Sequence, residues 1–371
     1  EARGGALAPL IATVRATILS RSLFPRGARV LVGCSGGPDS VVLADVLLAL
    51  APELQLDITV ASVDHGLRPE AAREVEHVRG LAEHWQVPFR SLRLGLATGP
   101  GAPARAREAR YEALDELRRD LGADVLAVGH TRDDQAETVL SRLLRGSGVR
   151  GLRGIWPVRG GVVVRPLIDC ARADVHAYLM ARSASPSATH GASSDARERN
   201  GSNVLAAVTD PSNHDHSFER VRLRHTTLPA LRSEDADVDR HLAELADDAR
   251  DLLELVEQEG RMLLARAQRV RDGARAVDVG VLHGAPRAVR REALRQLVEG
   301  AIAPALACRR AHLLELDLAT RPNVDAHVLV GRGVSYRRVG ELLLEEHADA
   351  GSPRNRGGLR PGSEETTKLY V

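Results

Sequence analysis

Residues 29–45 read RVLVGCSGGPDSVVLAD, and this stretch decides the fold of the first part of the chain. Its apolar start, 29–34, has the length of a strand and ends at two glycines, and an apolar run of helical length follows. Pro38 suits the first turn of a helix, because its missing N–H has no partner there. Gly36 and Gly37 let the backbone bend and let an anion approach closely. The stretch therefore predicts a strand, a phosphate-binding loop and a helix whose free N–H groups face an anion.

The loop, Ser35-Gly36-Gly37-Pro38-Asp39-Ser40, differs from both common nucleotide-binding motifs. It is neither the Walker pattern GxxxxGK[ST] nor the dinucleotide fingerprint GxGxxG. Lys368 is the only lysine of the chain, so a phosphate-binding lysine is absent from the loop. The loop resembles the SGGxDS loop of the PP-loop ATP pyrophosphatases, which implies ATP binding, AMP transfer and pyrophosphate release. Under that resemblance Asp39 is expected to face Mg²⁺, since a carboxylate beside phosphates needs an intervening cation.

Strand-like and helix-like segments alternate over the first 180 residues. Apolar strand runs cover 29–34, 58–63, 89–94, 125–128 and 162–164, and helical patterns cover 8–20, 41–50, 70–85, 104–121 and 133–144. Strands separated by helices of this length predict βαβ units. The fold class is therefore α/β, with a Rossmann-like parallel sheet that carries helices on both faces.

The rest of the chain has a different pattern. A helical pattern runs from Glu234 to about Glu299, and two short strands are predicted within His327–Glu345. The expected organisation is a catalytic ATP-binding domain at 1–232 with a flexible insertion at 183–209, a helical domain with a terminal β hairpin at 233–347, and a disordered tail at 348–371.

Composition excludes several classes of protein. The three cysteines are far apart with no CxxC pair, which argues against a disulfide framework or a structural zinc site and fits a reducing cytoplasm. No apolar run approaches ~20 residues and the start lacks a signal peptide, so neither a membrane span nor export is expected. Aromatic residues make up 2%, so base stacking on a row of aromatic side chains is not expected as the main binding mode.

Further motifs follow the loop in a fixed order. They are Val63–Arg68, Ala106–Tyr111, Gly129–Thr138, Leu144–Gly148 with Gly151-Leu152, Arg165–Leu167, Asp210–Asn213 and Arg220–Pro229. In this order they resemble the tRNA(Ile)-lysidine synthetases over residues 8–232, and more loosely over 233–345. The family activates C2 of the cytidine at the first anticodon position of a CAU-bearing isoleucine tRNA with ATP. The amine of free L-lysine then attacks and AMP is released.

The resemblance implies a set of site residues. ATP is expected at Ser35, Gly36, Gly37, Pro38, Asp39, Ser40, Asp64, His65, Gly129 and His130. The implied catalytic residues are Asp39, Asp133, Asp134, Glu137 and Arg222, with Asp39 and Asp133 as metal ligands. The implied tRNA-binding residues are Arg107, Arg110, Arg145, Arg220, Arg224, Arg290 and Arg291. A homodimer is left open.

Each group of site residues also has a plainer interpretation. Acids at the start of a helix favour its dipole, so Asp133, Asp134 and Glu137 are also explained as helix-capping residues. A histidine at a strand end, such as His130, is often a satisfied turn residue, and charged helix faces are often only solvated. The division of metal binding, ammonium binding and proton removal among the three acids stays open.

Two features depart from the family pattern. Val221 stands where the family usually has Asn within Arg-Asn-Arg-x-Arg, which weakens any side-chain role at that position and loosens the assignment of the neighbouring arginines. Those arginines are expected either to bind tRNA phosphates or to stabilise phosphoryl charge. The insertion before Asp210 is the second departure, and a tolerated surface loop explains it.

Three other functions compete with lysine transfer. Thiolation of tRNA needs cysteines that deliver sulfur, and the three cysteines are not paired. A binding module without catalysis would not need the acids at 39, 133, 134 and 137. A glutamine-dependent synthetase is disfavoured, because no N-terminal Cys or glutaminase-like segment is visible.

Overall fold

A computed structural model describes residues 7–64, 66, 71–95, 102–184, 205, 207, 219–301, 308–331 and 333–347. His65, most of the predicted insertion, Asp210–Asn213 and the predicted disordered tail lie outside the described residues. The chain forms two compact units, Glu1–Arg250 (unit 1) and Asp251–Val371 (unit 2). This division falls later than the domain boundary expected at 232, and the functional assignment of the two parts stays a prediction.

Unit 1 begins with the alternation that the sequence predicts. Its elements are α1 (Leu7–Ser20), β1 (Arg29–Gly33), α2 (Pro38–Leu54), β2 (Asp57–Asp64), α3 (Ala71–His84), β3 (Phe89–Arg93), α4 (Ala102–Asp120), β4 (Val125–Ala127), α5 (Arg132–Leu144), α6 (Val149–Leu152), β5 (Val158–Arg159), β6 (Val163–Val164) and α7 (Arg172–Ser183). The short edge strand β5 was not predicted. The predicted fold class is confirmed.

The sheet of unit 1 has the order β3-β2-β1-β4-β6-β5. Strands β3, β2, β1, β4 and β6 pair in parallel, and β5 pairs antiparallel with β6. Alternate residues of β1 enter different cores: Val30 and Val32 pack with α1, α2 and α7, whereas Leu31 packs with Leu114 of α4. Helices therefore cover both faces of the sheet.

The order of the strands reverses direction between β1 and β4, which are neighbours in the sheet but far apart in sequence. In open α/β sheets a crevice forms at such a point beyond the carboxyl ends of the strands. The Ser35–Ser40 loop follows β1, and Gly129-His130 follows β4. The topology thus brings these two segments together.

The end of unit 1 is helical. It consists of α8 (Glu219–Arg222), a π-helical turn (Leu223–Thr227), α9 (Leu228–Glu234) and the start of α10 (Val238–Ala267). Leu223 and Leu228 pack on Ala136 and Leu140 of α5. This apolar contact places the Arg220–Arg224 segment against the helix that carries the predicted acids.

Unit 2 contains more strand than the sequence predicts. Its elements after α10 are β7 (Gln268–Arg271), β8 (Ala274–Asp278), α11 (Val279–His283), α12 (Arg287–Ala301), α13 (Arg310–Ala319), β9 (His327–Gly331), β10 (Val334–Val339) and β11 (Leu342–His347). The prediction of unbroken helix from Glu234 to Glu299 is wrong at β7 and β8. The pair expected at 327–345 is three strands, which join β7 and β8 in one antiparallel sheet of order β7-β8-β11-β10-β9.

The turn between β7 and β8 explains the first of these corrections. Asp272 and Gly273 have φ of 52° and 78°, and Asp-Gly with both residues at positive φ is a strong hairpin signal.

Within the described part of the chain, no helix is both long enough and apolar enough to span a bilayer.

Candidate active site at the switch point of the sheet

The loop after β1 is fixed by its two serines. Ser40 Oγ donates to the carbonyl of Gly37 at 2.9 Å and accepts from the backbone N–H of Ser35 at 3.1 Å. The two serine hydroxyls lie 3.2 Å apart. Gly36 has φ of 82°, a conformation that favours glycine. These contacts hold the loop open at the N-terminus of α2.

Gly129, after β4, touches the start of α2 through its backbone. A Cβ on Gly129 would lie 2.9 Å from the carbonyl oxygen of Asp39 and 3.1 Å from the nitrogen of Ser40. Both contacts are with backbone atoms, which cannot rotate away. Glycine is therefore required at 129 for β4 and the loop to meet.

Asp39 is an incompletely satisfied buried carboxylate. Its Oδ1 is buried and has no hydrogen-bond partner, while Oδ2 lies 3.7 Å from Nε of Arg172. Burial raises the pKa of Asp39, and the nearby Arg172 only partly offsets this effect. An unpartnered buried oxygen is costly unless a ligand or cation completes it.

Helix α5 carries the predicted acids at its start. Thr131 caps the helix, and its backbone N–H donates to Oδ2 of Asp134 at 2.8 Å. Asp134 therefore does serve as a capping residue, as the plainer interpretation has it. Its Oδ1 is left for other partners, and Glu137, one turn later, is only 2% exposed.

Three arginines converge on Asp134 and Glu137. Arg172 lies 2.8 Å from Asp134 and 3.1 Å from Glu137. Arg220 lies 2.5 Å from Asp134 and 2.7 Å from Glu137, and Arg224 lies 2.6 Å from Glu137. We call these two acids and three arginines the acid wall. Arg220 and Arg224 are four residues apart, so they share a helical face.

The acid wall holds its carboxylates ionised. Burial alone would raise the pKa of Asp134, but Arg172 and Arg220 outweigh it and keep that pKa well below its usual value. The same balance, with Arg224 as the leading cation, lowers the pKa of Glu137. Removing one partner from such a network leaves an uncompensated buried charge.

Asp133 belongs to a separate set of contacts. Its Oδ2 accepts from the backbone N–H of Arg172 at 2.7 Å, and its Oδ1 accepts from Arg232 at 2.9 Å. Both carboxylate oxygens are therefore used within the protein. Asp133 fixes the start of α7 and, through it, the position of Arg172.

His130 lies between two arginines, one at each ring nitrogen. Arg165 Nε donates to Nδ1 of His130 at 3.2 Å, and Nη2 of Arg107 lies 3.1 Å from Nε2. Donation to Nδ1 puts the ring proton on Nε2, so Arg107 gains no hydrogen bond there. Burial, with help from Arg165 and Arg107 and against the pull of Asp134, lowers the pKa of His130 to about 3. His130 is therefore neutral at physiological pH.

Tyr111 completes this side of the site. The guanidinium groups of Arg107, Arg110 and Arg159 lie 5.5, 5.8 and 5.5 Å from its ring centroid. Burial lowers the pKa of both Arg110 and Arg165. No ion pair joins Arg107, Arg110 or Arg165 to a carboxylate of the described residues. We call these three arginines, with His130 and Tyr111, the basic wall.

Both walls contribute to one cavity of about 630 Å³, although Arg107, Arg165 and Glu137 do not line it themselves. Its lining includes the loop residues Ser35, Gly37, Pro38, Asp39 and Ser40, then Arg110, Tyr111, Gly129, His130, Asp134, Arg172, Arg220 and Arg224. The cavity thus brings together the Ser35–Ser40 loop, the ion-paired side chains of the acid wall and, from the basic wall, Arg110, which has no ion pair with a described carboxylate.

Several predicted site residues lie elsewhere. Asp64 accepts from the backbone N–H of Gly66 at 2.8 Å and does not line the cavity. Arg222 is exposed and also lies off the cavity lining, and Arg145 is paired with Glu219 on the surface. In unit 2, Arg290 and Arg291 lie 2.6 and 2.9 Å from Asp317. The functional roles given to these residues stay predictions.

Two residues of the site were missed by the sequence reasoning. Arg172 contacts Asp39, Asp134 and Glu137, and Arg165, which is 3% exposed, orients His130. Arg165 had a signal, since it follows the short strand β6, where ligands of an open sheet gather. Arg172 had none that distinguishes it from the other arginines of the chain.

Asp39 is the residue of the cavity that fits a magnesium ion bound to a nucleotide. Within the described residues, no three His, Cys, Asp or Glu side chains cluster closely enough to hold a metal ion. Mg²⁺ bound to a nucleotide often needs only one or two protein carboxylates, because phosphates and waters complete its shell. The unpartnered Oδ1 of Asp39 fits that requirement.

Comparison with known proteins identifies related chains. A family model described as the PP-loop domain matches residues 12–186. A tRNA(Ile)-lysidine synthase from Thermobifida fusca is 35% identical, over 91% of this chain and 98% of that protein. One from Salinispora arenicola is 36% identical, over 91% of this chain and 97% of that protein.

A solved structure is also similar. The U34-tRNA thiolase NcsA from Methanococcus maripaludis matches 68% of this chain and 80% of its own, with a TM-score of 0.53 and 17% sequence identity. At that identity the likeness concerns the fold alone.

Proposed function

The chain belongs to the tRNA(Ile)-lysidine synthases, ATP-dependent enzymes that modify tRNA, and we propose that it ligates free L-lysine to C2 of cytidine 34 in the CAU anticodon of tRNA(Ile). The observation that carries the proposal is the single cavity in which the phosphate-type loop meets both walls. ATP, the target cytidine and lysine must meet at one place. This cavity is where the Ser35–Ser40 loop meets charged side chains of both walls.

The loop binds the phosphates of ATP. Its glycines admit an oxyanion, and the start of α2 supplies backbone donors and a positive dipole end. Oδ1 of Asp39 holds Mg²⁺, which offsets the phosphate charge when bound. Asp133 was also expected to bind metal, but both of its oxygens accept hydrogen bonds within the protein. Asp39 is therefore the better candidate.

The basic wall stabilises charge during transfer of AMP. The oxygen on C2 of the cytidine attacks the α-phosphorus, pyrophosphate leaves, and the tRNA carries AMP. Arg110 lines the cavity and has no carboxylate partner among the described residues, so its attraction for phosphate oxygens is weakly screened, while Arg165 holds His130 in place. Neutral His130 leaves the hydrogen-bonding capacity of Arg107 to an anion.

The acid wall orders its arginines for the second step, the transfer of lysine. The amine of lysine must lose a proton and attack C2, and AMP then leaves. Asp134 and Glu137 have lowered pKa values, which makes them good ligands for cations but weak bases. The proposal therefore gives them the positioning of Arg172, Arg220 and Arg224 rather than the binding of the lysine ammonium, because the wall carries three guanidinium groups against two carboxylates.

The remaining assignments complete the proposal. Residues 1–232 carry catalysis and 233–347 bind tRNA, in the cytoplasm, with a homodimer as the assembly to be tested. Thiolation is disfavoured by the cysteines: Cys34 and Cys170 are buried, and all three thiols are free. Burial raises the pKa of Cys170 to about 12, which opposes a role as a sulfur-carrying thiolate.

The proposal is tested by lysine incorporation. Purified protein with ATP, Mg²⁺, labelled lysine and a CAU-bearing isoleucine tRNA transcript should label the RNA, and a methionine tRNA with the same anticodon should stay blank. Pyrophosphate release should depend on the RNA. Absence of label from both tRNAs would refute the proposal.

A paired substitution localises the chemistry. Asp39→Asn should keep the fold and lose turnover by at least about 100-fold, the scale typical for one removed electrostatic contact. Asp115→Asn, a partly exposed acid on α4 that lies off the cavity lining, is the matched control and should keep full activity. Equal activities of the two variants would remove Asp39 from the mechanism.

A further inference from the structure

A second cavity of unit 1, about 510 Å³, lies beside the loop between α5 and β5. It is lined by Arg142, Ser147, Gly148, Arg150, Gly151, Arg153, Gly154 and Trp156. It adjoins the Leu144–Gly148 and Gly151-Leu152 motif of the sequence, of which only Arg145 has been given an expected role. We call it the arginine–tryptophan pocket.

The lining of the pocket is rich in arginine. It includes three arginines and, among these lining residues, no carboxylate. Arg142 is held in place by donating to the carbonyls of Gly151 at 2.8 Å and Gly154 at 3.0 Å. Burial and the neighbouring Arg153 both lower the pKa of Arg142. A positive concave surface of this kind suits a phosphate group.

The same pocket presents an aromatic surface. Trp156 is 39% exposed, and the guanidinium of Arg153 lies 5.5 Å from its ring centroid. Aromatic rings and guanidinium planes are the surfaces on which bases of single-stranded RNA stack. Phosphate and base recognition therefore occur together, which is the signature of a nucleotide site.

The pocket is preformed. Gln135 of α5 accepts from the N–H of Ile155 at 2.5 Å and donates to its carbonyl at 3.3 Å. Arg250 donates to the carbonyls of Arg153 at 2.5 Å and Ile155 at 3.2 Å. Gly154 has φ of 59° and packs so closely on Gln135 that a Cβ would collide with it. Side chains from two helices thus fix the segment that carries Trp156.

Helix α5 connects the pocket with the active site. Asp134 of the acid wall and Arg142 of the pocket lie on this helix eight residues apart, which is about 12 Å along its axis. Arg165 of the basic wall also donates to the carbonyl of Trp156 at 2.5 Å. A strand of RNA with one base in the active-site cavity has its flanking nucleotides within this range.

We propose that the arginine–tryptophan pocket binds a nucleotide that flanks the target cytidine in the RNA substrate. Its base stacks on Trp156 and Arg153, and its phosphate meets Arg142 and Arg150. The proposal rests on the proposed function in one respect, namely that the RNA is the substrate of the neighbouring cavity.

Fluorescence provides the direct test. The chain has two tryptophans, so Trp85→Phe leaves Trp156 as the only one. A CAU anticodon stem–loop RNA should quench the emission of this variant saturably, because the base stacks on the indole. Sodium pyrophosphate or ATP alone should leave it unchanged. The same quenching by pyrophosphate would assign the pocket to free anions and overturn the RNA proposal.

Kinetics separates binding from structure. Trp156→Ala in the full-length chain should raise the KM for tRNA about tenfold, the usual scale for one stacked base, while kcat stays within about twofold. Trp156→Phe should largely restore the KM, since a ring remains. Arg15→Ala, which removes an exposed arginine paired with Glu53 on α2, is the control and should change neither value.

The outcomes distinguish the two proposals. Quenching of Trp156 by the stem–loop without lysine incorporation would support the RNA pocket and refute lysine transfer. Lysine incorporation with neither quenching nor a change in KM would refute the pocket and keep the proposed function. A loss of kcat in Trp156→Ala that Trp156→Phe restores, at unchanged KM, would make the residue structural and also refute the pocket.

Discussion

The two walls of the active-site cavity place arginines in opposite electrostatic settings. In the acid wall, Arg172, Arg220 and Arg224 all contact Asp134 or Glu137. In the basic wall, Arg107, Arg110 and Arg165 form no ion pair with a carboxylate of the described residues, and their nearest polar partners include neutral His130. The same side chain is thus neutralised on one side of the cavity and left positive on the other.

This difference teaches that pairing, rather than the number of arginines, decides what a surface binds. Paired arginines contribute to stability, because removing one partner leaves a buried charge. Unpaired, partly buried arginines lower stability and are kept where a ligand supplies the missing anion. Substitutions in the acid wall should therefore act mainly on folding, and substitutions in the basic wall should act mainly on function.

The largest effect is expected when the acid wall is broken. Asp134→Asn keeps the shape but removes a charge shared by three guanidinium groups. We expect unit 1 to lose about 3–5 kcal/mol of unfolding free energy. Both tryptophans lie in unit 1, so their fluorescence during urea denaturation reports this loss.

The exposed pair of Glu76 and Arg79 supplies the control for Asp134→Asn. Glu76→Gln breaks an ion pair of 3.0 Å on the surface of α3, where such pairs contribute about 0–1 kcal/mol. If the two variants lost the same free energy, the acid wall would have no special role in stability.

The next effect extends the comparison to unit 2. Arg290 and Arg291 share Asp317, so the pairing rule expects them to stabilise α12 against α13. Asp317→Asn should cost about 2–3 kcal/mol. Faster hydrogen exchange in α12 and α13, without change in unit 1, would record it.

A separate readout concerns the tRNA role predicted for these two arginines. Arg291→Ala and Asp317→Asn can be compared for tRNA affinity as well as stability. Weaker tRNA binding in Arg291→Ala at unchanged stability would show that the arginine binds RNA and that the pairing rule fails in unit 2.

The sequence predicted the parts of the site that depend on local signals. The loop at 35–40 and Gly129 follow strands, and glycine, proline and apolar runs mark such turns within a few residues. The switch point was not predicted, because the order of the strands became known only from the structure. The contact of Gly129 with Asp39 was not predictable, because it depends on how closely two strand ends approach.

Other parts depended on distant contacts and were missed. Arg172 reaches Asp134 from another helix, and no local pattern distinguishes it from other arginines. Arg220, Arg222 and Arg224 stand at every second position of the sequence and were given related roles. The segment is helical, however, so Arg222 points to a different side from Arg220 and Arg224 and is exposed. The Asp272-Gly273 hairpin was overlooked within an Arg- and Ala-rich run that has a helical composition.

The third prediction sharpens the comparison from the basic wall. Arg110→Leu removes a partly buried cation with no carboxylate partner among the described residues, so we expect an unchanged or slightly raised urea midpoint. Lysine incorporation should nevertheless fall 10- to 30-fold, or about 1.4–2 kcal/mol. A clear loss of stability would mean that Arg110 is structural and that the two walls do not differ in kind.

The smallest effect concerns the neutral histidine of the basic wall. The folded pKa of His130 is about 3, below the ordinary value near 6.5. Between these values the unfolded chain binds a proton that folded His130 does not, so this residue lowers stability as pH falls below 6.5 and has no such effect above it. His130→Gln should therefore reduce the fall in urea midpoint between pH 7 and pH 5. An unchanged pH dependence in His130→Gln would indicate that the ring is charged in the folded protein. A charged ring would repel Arg107 and Arg165 instead of leaving the basic wall ready to bind an anion.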